Sequence, residues 1–503
     1  MEAARDETKI PVPKQVNNGD EKIYSNYIGN YSKGLPHDSI GEVDLKAYSM
    51  FLSAVHQGTA AAFEQVPLGG TGPGQVKLVN PLAGVAFDLE GTDSHQLVIP
   101  PIPSVASKEL ADQAVELYWQ ALCRDVNFTD YATDSRTIAA AAELSKLKKF
   151  GGPSDKGFVT AQTLFRGFTT GDVIGPYVSQ LMLKPFNYGP YAMTGQISTY
   201  VPGIDYMTDQ AHWLAVQRGN GPFDSNVLDS KTCHVRNGRD YAVYVHTDPN
   251  AGLLISFYNA AIWLFEHSAP LNPGNPYRYY TRQSSFATFG VPHFLGLLGE
   301  AKQRACKAAW YAKWYVHRAA RPEAFGGLVH MTLTGQKKGG YPLDPEVLGS
   351  AAVAGVFSKY GTYFIPQAFP EGSPQHPSYP EGHSSMAGAC ATILKAAFDG
   401  SIQFNTLPDG KIQVASGDGQ SLKDYVGSDR DQITVNGEID KLASNIGLAR
   451  DFAGIHWRSD SDAGLLLGEA AALSVLRDQS DNYAGEDFEG FTITKFDGTT
   501  VTV

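Results

Sequence analysis

Cysteine is scarce: four in 503 residues, at 123, 233, 306 and 390, none spaced as Cys-x-x-Cys. That excludes a zinc cage or a disulfide framework and leaves free thiols. Charged residues are also few, at 18%, while hydrophobic residues reach 43%. A mainly disordered chain is therefore excluded. Positive charge is outnumbered, 40 Lys+Arg against 52 Asp+Glu, for a net −12. A general binder of nucleic acid or of an anionic membrane would carry the opposite balance. Any anion must be held by a few cations gathered in one place. No apolar run approaches the ~18 residues of a membrane span. Met1-Glu2-Ala3-Ala4-Arg5-Asp6 lacks the apolar stretch of a signal peptide. The expectation is a soluble protein of a reducing compartment, cytoplasmic by default. A secreted protein whose leader has been removed would read the same.

What is present is helical periodicity. Residues 1–44 read as an extended arm and 45–503 as a single, mainly helical domain. Helices are expected over 45–65, from Ser107 (Leu110, Ala114, Leu117, Trp119 and Leu122 on one face), over Ile138–Leu147, 250–268, 300–320 and Ser384–Phe398, with one or two more in 440–478. Residues 66–105, dense in Gly and Pro, suggest loops with short strands. Residues 185–250 are turn-rich and aromatic. Alternation on both sides of Asp497-Gly498 predicts a C-terminal β-hairpin.

Three clusters carry chemistry. In the first, Lys313, His317 and Arg321 follow at i, i+4 and i+8, which on one helix is a single basic face. The second is His376-Pro377-Ser378-Tyr379-Pro380-Glu381-Gly382-His383, running into a helix. Free N–H groups at such a start attract an anion, and His383 would point at it from the first turn. In the third, Arg450 precedes His456 by six residues, a spacing that needs a bend at Gly454 to bring both into one cavity. His456 and Asp460 are four apart, so the carboxylate can fix the imidazole tautomer. Each cluster alone is also an ordinary solvated basic face, a plain helix start or a surface ion-pair patch. Together, two arginines, a lysine, three histidines and a helix start make a pocket for a tetrahedral oxyanion.

The order Lys-x7-Arg-Pro, Pro-x-Gly-His, Arg-x5-His-x3-Asp resembles the vanadium-dependent haloperoxidases and, more widely, the type 2 phosphatidic acid phosphatase superfamily. The stretches KGLPHDSIGEVD, KWYVHRAARPEAFGG, HPSYPEGHSSMAGA, EIDKLASNIGLARDFAGIHWRSD and FTITKFDGTTVTV are similar to the algal bromoperoxidase branch. The resemblance spans most of the chain. It implies two four-helix bundles around the active site, an assembly of at least two copies, and halide oxidation by hydrogen peroxide with vanadate as cofactor. It also implies roles. His456 bonds the vanadium. Lys313, Arg321 and Arg450 neutralise its oxygens, helped by the Gly382 N–H. His383 is the acid–base, Lys313 polarises bound peroxide, and His376 stands just behind. Trp310, one turn before Lys313, suits either a halide site or packing.

One residue departs from that family. Where it has serine before Gly-His, this chain has Glu381. An ionised carboxylate cannot donate a hydrogen bond to an oxyanion and repels it. Glu381 itself becomes a candidate acid–base group. Three further readings stay open on the residues alone: a vanadate-free homologue doing acid–base rearrangement or cyclisation, a phosphatase with His456 as nucleophile and Asp460 as its orienter, and a non-catalytic scaffold.

Overall fold

The computed structural model describes residues 10–221, 226–246 and 255–503. Twelve helices of eight or more residues occur among them. These are α1 Leu45–Gln57, α2 Lys108–Cys123, α3 Ser135–Leu144, α4 Gln210–Gln217, α5 Gly238–His246, α6 Ile255–Glu266, α7 Val291–Tyr311, α8 Pro322–Leu333, α9 Ala351–Tyr360, α10 Gly382–Ala397, α11 Val435–Phe452 and α12 Arg458–Ser480. Side-chain caps start several of them: Asp44 accepts from Ala47 N–H, Ser107 from Leu110 N–H and Thr434 from Gly437 N–H. Strands are short and pair only as antiparallel ribbons. The last joins Thr492–Thr494 to Thr500–Thr502 around Asp497-Gly498, as the alternation predicts.

The organising element is α10. It packs against α12, α7 and α11, and every residue in it except His383 is buried. Its sequence explains how it fits there. A Cβ at Gly388 would collide with the Leu465 carbonyl, and one at Gly468 on α12 with the Ser385 carbonyl. Glycine at both places lets the two backbones approach closely. The N-terminus of α10 therefore opens inside the bundle.

Residues 10–44 lie along this body. Tyr31 N–H donates to the Arg318 carbonyl and Ala320 N–H to the Gly29 carbonyl. Lys33 is buried, its Nζ 2.7 Å from Glu323 Oε1 and donating to the Glu371 and Ser373 carbonyls. Glu323 Oε2 accepts from Ser373 N–H at 2.8 Å. A buried cation thus joins the arm, the start of α8 and the loop before His376.

Several expectations are corrected. Residues 66–105 form no strand. Their Gly and Pro leave runs too short to pair, and their N–H groups go elsewhere, Gly69 to the Gly34 carbonyl and Val79 to the Gln375 carbonyl. Residues 185–246 hold more than turns: two ribbons, α4 and α5. The helix expected at 250–268 is α6, beginning at Ile255; residues 250–254 lie outside the described residues. The helix expected over 300–320 stops at Tyr311. One wide turn follows, with Arg318 N–H bonded to the Lys313 carbonyl five residues back and Arg318 at φ 42°.

Candidate active site

That wide turn removes the expected common face of Lys313, His317 and Arg321. Arg321 belongs instead to the start of α8, with Pro322 in its first turn. His317 points away: its ring meets Tyr379 edge-on at 4.8 Å, and burial pushes its pKa down to about 3. Lys313 and Arg321 nevertheless reach one place. Lys313 Nζ donates to the carbonyls of Pro377 (2.8 Å) and Ser378 (2.6 Å). Arg321 lies against His376 and His456. Its Nε and Nη2 donate to the His376 carbonyl, and Nη1 donates to the Ile455 carbonyl at 2.9 Å and to His456 Nε2 at 2.7 Å.

That contact assigns the tautomer of His456. Arginine cannot accept, so Nε2 is the unprotonated nitrogen. Nδ1 then carries the proton and donates it to Asp460 Oδ2 at 2.7 Å. The same oxygen accepts from the Ser378 hydroxyl and the Trp457 N–H. Gly454, at φ 81°, makes the bend after α11, and His456 sits between α11 and α12. Burial first, then Arg321, Lys313 and Arg450, holds His456 neutral, with its pKa well below the ordinary value. Burial raises Asp460 to about 6 against the pull of Ser378 and Lys313.

The third side is the start of α10. Gly382 is its first residue, where N–H groups have no intrahelical acceptor. A Cβ there would lie 3.1 Å from the Trp310 ring and 3.9 Å from Lys313 Cε. Trp310 also covers His376, ring centroids 4.8 Å apart. His376 Nδ1 is 3.1 Å from Arg321 Nη2 and 3.2 Å from the Pro377 carbonyl, so it accepts from one or donates to the other. His383 Nε2 and Arg450 Nε are buried with no partner among the described residues. Burial, then Arg450, depresses the His383 pKa strongly. Burial lowers Arg450 to about 10, against the pull of Glu381.

Glu381 is fully buried beside them. Its Oε2 accepts from the Ser461 hydroxyl at 2.6 Å, and that hydroxyl lies 3.3 Å from Asp451 Oδ1. One hydroxyl proton cannot serve two carboxylates, so a proton on either acid completes the chain Glu381–Ser461–Asp451. Burial raises Glu381 to about 7, Ser461 and Arg450 opposing, and raises Asp451 strongly. Glu381 Oε1 is buried and accepts no hydrogen bond within 3.5 Å among the described residues.

Apart from His317, the residues named from sequence thus come together as three cations, three imidazoles held neutral and the acid Glu381. Sequence reading missed Ser378, Ser461, Asp451 and the Lys33–Glu323 pair. All of these but Ser461 lie inside the quoted motifs, but nothing in the spacing shows their partners.

A helical bundle that gathers Lys313, Arg321, Arg450 and a tautomer-fixed histidine about a buried helix start has the groups that would hold an oxyanion. The comparisons narrow the class. Residues 293–485 match the VCPO second helical-bundle domain. The chain is 36% identical to the vanadium-dependent bromoperoxidase of Ascophyllum nodosum, covering 97% of this chain and 89% of that protein. It is 32% identical to that of Corallina pilulifera, covering 97% and 94%. The homohexameric structure of the second vanadate-dependent bromoperoxidase of Ascophyllum nodosum aligns with TM-score 0.91 at 30% identity, covering 99% of this chain and 88% of that one. The chain belongs to the vanadium-dependent haloperoxidase family. The phosphatase, scaffold and vanadate-free readings gain nothing from these relatives.

Proposed function

We propose that this protein is a vanadium-dependent haloperoxidase, oxidising halide with hydrogen peroxide to a hypohalous acid equivalent that halogenates small organic molecules. The observation that carries the reading is the His456 Nε2 lone pair, fixed by Asp460 behind it and ringed by Arg321, Lys313 and Arg450. The partnerless polar atoms of His383 and Arg450 suit an oxyanion with oxygens to spare. Bound vanadate supplies Lewis acidity that activates peroxide towards halide, with no change in the metal's oxidation state.

The chain's residues do the rest. His456 would be the ligand nitrogen; its Nε2 lone pair is the one that Arg321 Nη1 holds here. Lys313, Arg321, Arg450 and the Gly382 N–H balance oxyanion charge in a site where burial strengthens each attraction. His383 is the acid–base: its ring takes the proton that peroxide gives up and returns one to the oxygen leaving as water. Lys313 polarises the peroxide. His376 and Trp310 hold Arg321 and the Gly382 edge in place. Glu381, as a neutral acid, takes the donor place that serine holds in the family. The protein works as a homo-oligomer, as the homohexameric neighbour does. Among the described residues no helix is long and apolar enough to cross a membrane.

Bromination of a phenolic dye by peroxide and bromide tests this. It is expected in protein loaded with orthovanadate and absent after vanadate is stripped. No bromination by the loaded protein, or bromination indifferent to vanadate, contradicts the proposal.

A further inference from the structure

Ser461 stands between two buried acids from two other helices. It is the fourth residue of α12, Glu381 caps the start of α10, and Asp451 is the last residue but one of α11. All three are buried. Gly447 makes room for the contact: a Cβ there would lie 2.4 Å from Ser384 Oγ and 3.1 Å from Ser461 Cβ. Glu381 holds the N-cap position, yet its side chain bonds no N–H of its own helix. It turns to Ser461 instead.

The distances assign the protons. Ser461 Oγ lies 2.6 Å from Glu381 Oε2 and 3.3 Å from Asp451 Oδ1. The one hydroxyl proton belongs in the shorter bond, so Glu381 Oε2 accepts it. Ser461 Oγ then has only lone pairs to offer Asp451, and an ionised carboxylate cannot donate to them. Asp451 must carry a proton and give it to Ser461. With Oε2 accepting, an acid proton on Glu381 sits on Oε1, the oxygen with no hydrogen bond among the described residues. The surroundings agree. Burial, then Glu381, raises the Asp451 pKa strongly against Arg458. The charged and titratable groups facing Asp451 are Glu381, Arg458, Glu116 and Asp460. Those facing Glu381 are Arg450, Lys313, Arg321, Asp460 and Asp451. Ser384 also lies beside Glu381, its hydroxyl outside hydrogen-bonding geometry among the described residues.

We propose that Asp451 and Ser461 are positioning residues: protonated Asp451 turns the Ser461 hydroxyl onto Glu381 Oε2, which leaves the Glu381 acid proton on Oε1 to donate to a bound oxyanion. The inference rests on the oxyanion pocket of the haloperoxidase reading and deepens it, giving the reason a glutamic acid can stand where the family has serine. Both residues act only through Glu381.

Inorganic phosphate titrated calorimetrically into vanadate-free protein, at pH 6 and pH 8.5, tests this. Asp451→Asn decides the first link, because its amide donates to Ser461 as a protonated acid does. At pH 6 its phosphate affinity is expected within about threefold of the parent's. A larger gain would mean that Asp451 was ionised, and a larger loss that the amide does not replace the acid; either overturns the proposal. Ser461→Ala decides the second link. It removes a donor that favours ionised Glu381, so affinity is expected to fall about threefold at pH 6, while the pH above which affinity is lost rises by about one unit. A site merely loosened would lose affinity at both pH values, and no upward movement overturns the proposal. Infrared spectra of the carboxyl groups need no ligand. At pH 6 Asp451→Asn should remove one protonated-acid band and Glu381→Gln another, and phosphate should shift only the Glu381 band. No band lost in Asp451→Asn overturns the proposal, and this spectrum decides the matter should Ser461→Ala fail to fold. A parent that binds no phosphate overturns it as well. A parent that binds phosphate yet brominates nothing sinks the haloperoxidase reading and leaves the hydrogen-bond chain standing.

Discussion

His456→Ala is expected to lose vanadate-dependent halogenation by at least about 10²-fold, the lower end of what losing one charge-stabilising group from a buried catalytic site costs. Among the described residues no other ring nitrogen has its proton fixed by a carboxylate behind it as His456 does. His376 Nδ1 is engaged with Arg321 and the Pro377 carbonyl, and His383 belongs to α10 on another side of the pocket. The variant should still attract oxyanions, because Lys313, Arg321 and Arg450 remain. Vanadate should therefore bind weakly and reversibly, as phosphate would. Removing the ring also frees Arg321 Nη1 of one acceptor and strips Asp460 of one donor. Circular dichroism and the thermal midpoint will show whether the fold survives that change. Full activity at saturating vanadate would mean that the metal is held by some other residue.

Glu381→Ser is expected to tighten vanadate binding, and to do so increasingly as pH rises. The folded pKa of Glu381, about 7, lies above its ordinary value of 4.5 because burial penalises the charged form. Below about pH 7 the side chain is a neutral acid that can donate to an oxyanion, much as serine does. Above it the carboxylate neither donates nor tolerates negative charge. At ~4 Å and an effective dielectric of ~20, the repulsion is about 4 kcal/mol, or roughly three decades of affinity. Arg450 offsets part of that. The gain should thus be small at pH 5.5 and reach ten- to a thousandfold near pH 8.5. Stability follows the same sign. A raised carboxyl pKa favours the fold fully below the ordinary value, and that contribution is lost as pH rises through about 7. The serine variant should therefore gain thermal midpoint over the parent in alkaline, vanadate-free buffer. Calorimetric titration of vanadate into both proteins at the two pH values decides the matter. Equal affinities at both would show that Glu381 carries no charge that the anion feels.

How much of this was legible beforehand can be followed residue by residue. The helix over Ser384–Phe398 and the one starting after Ser107 were readable because their causes are local. The helix start at Gly382 and the His456–Asp460 pairing were readable because their spacing is short. The Lys313, His317 and Arg321 face failed because α-helical periodicity was carried across a turn that is not α-helical. Arg318 in the left-handed region rotates everything after it, and no hydrophobic period marks that. Strand Ile197–Tyr200 pairs with Leu228–Cys233 across a long intervening stretch, so neither run alone shows its partner. The same holds for the charges. Lys33 meets Glu323, and Glu381 meets Ser461 and Asp451, at separations no window of sequence spans. The site's cations were visible, while the acids and hydroxyls that set their protonation became visible only in the fold.

The central claim is that His456 Nε2 holds vanadium among Lys313, Arg321, Arg450 and His383. A crystal structure of protein grown with orthovanadate tests it most directly. The account predicts vanadate bonded to His456 Nε2, with Arg321 moved off that nitrogen. An anion bound elsewhere, or held in this pocket with the Arg321–His456 hydrogen bond intact, would contradict it.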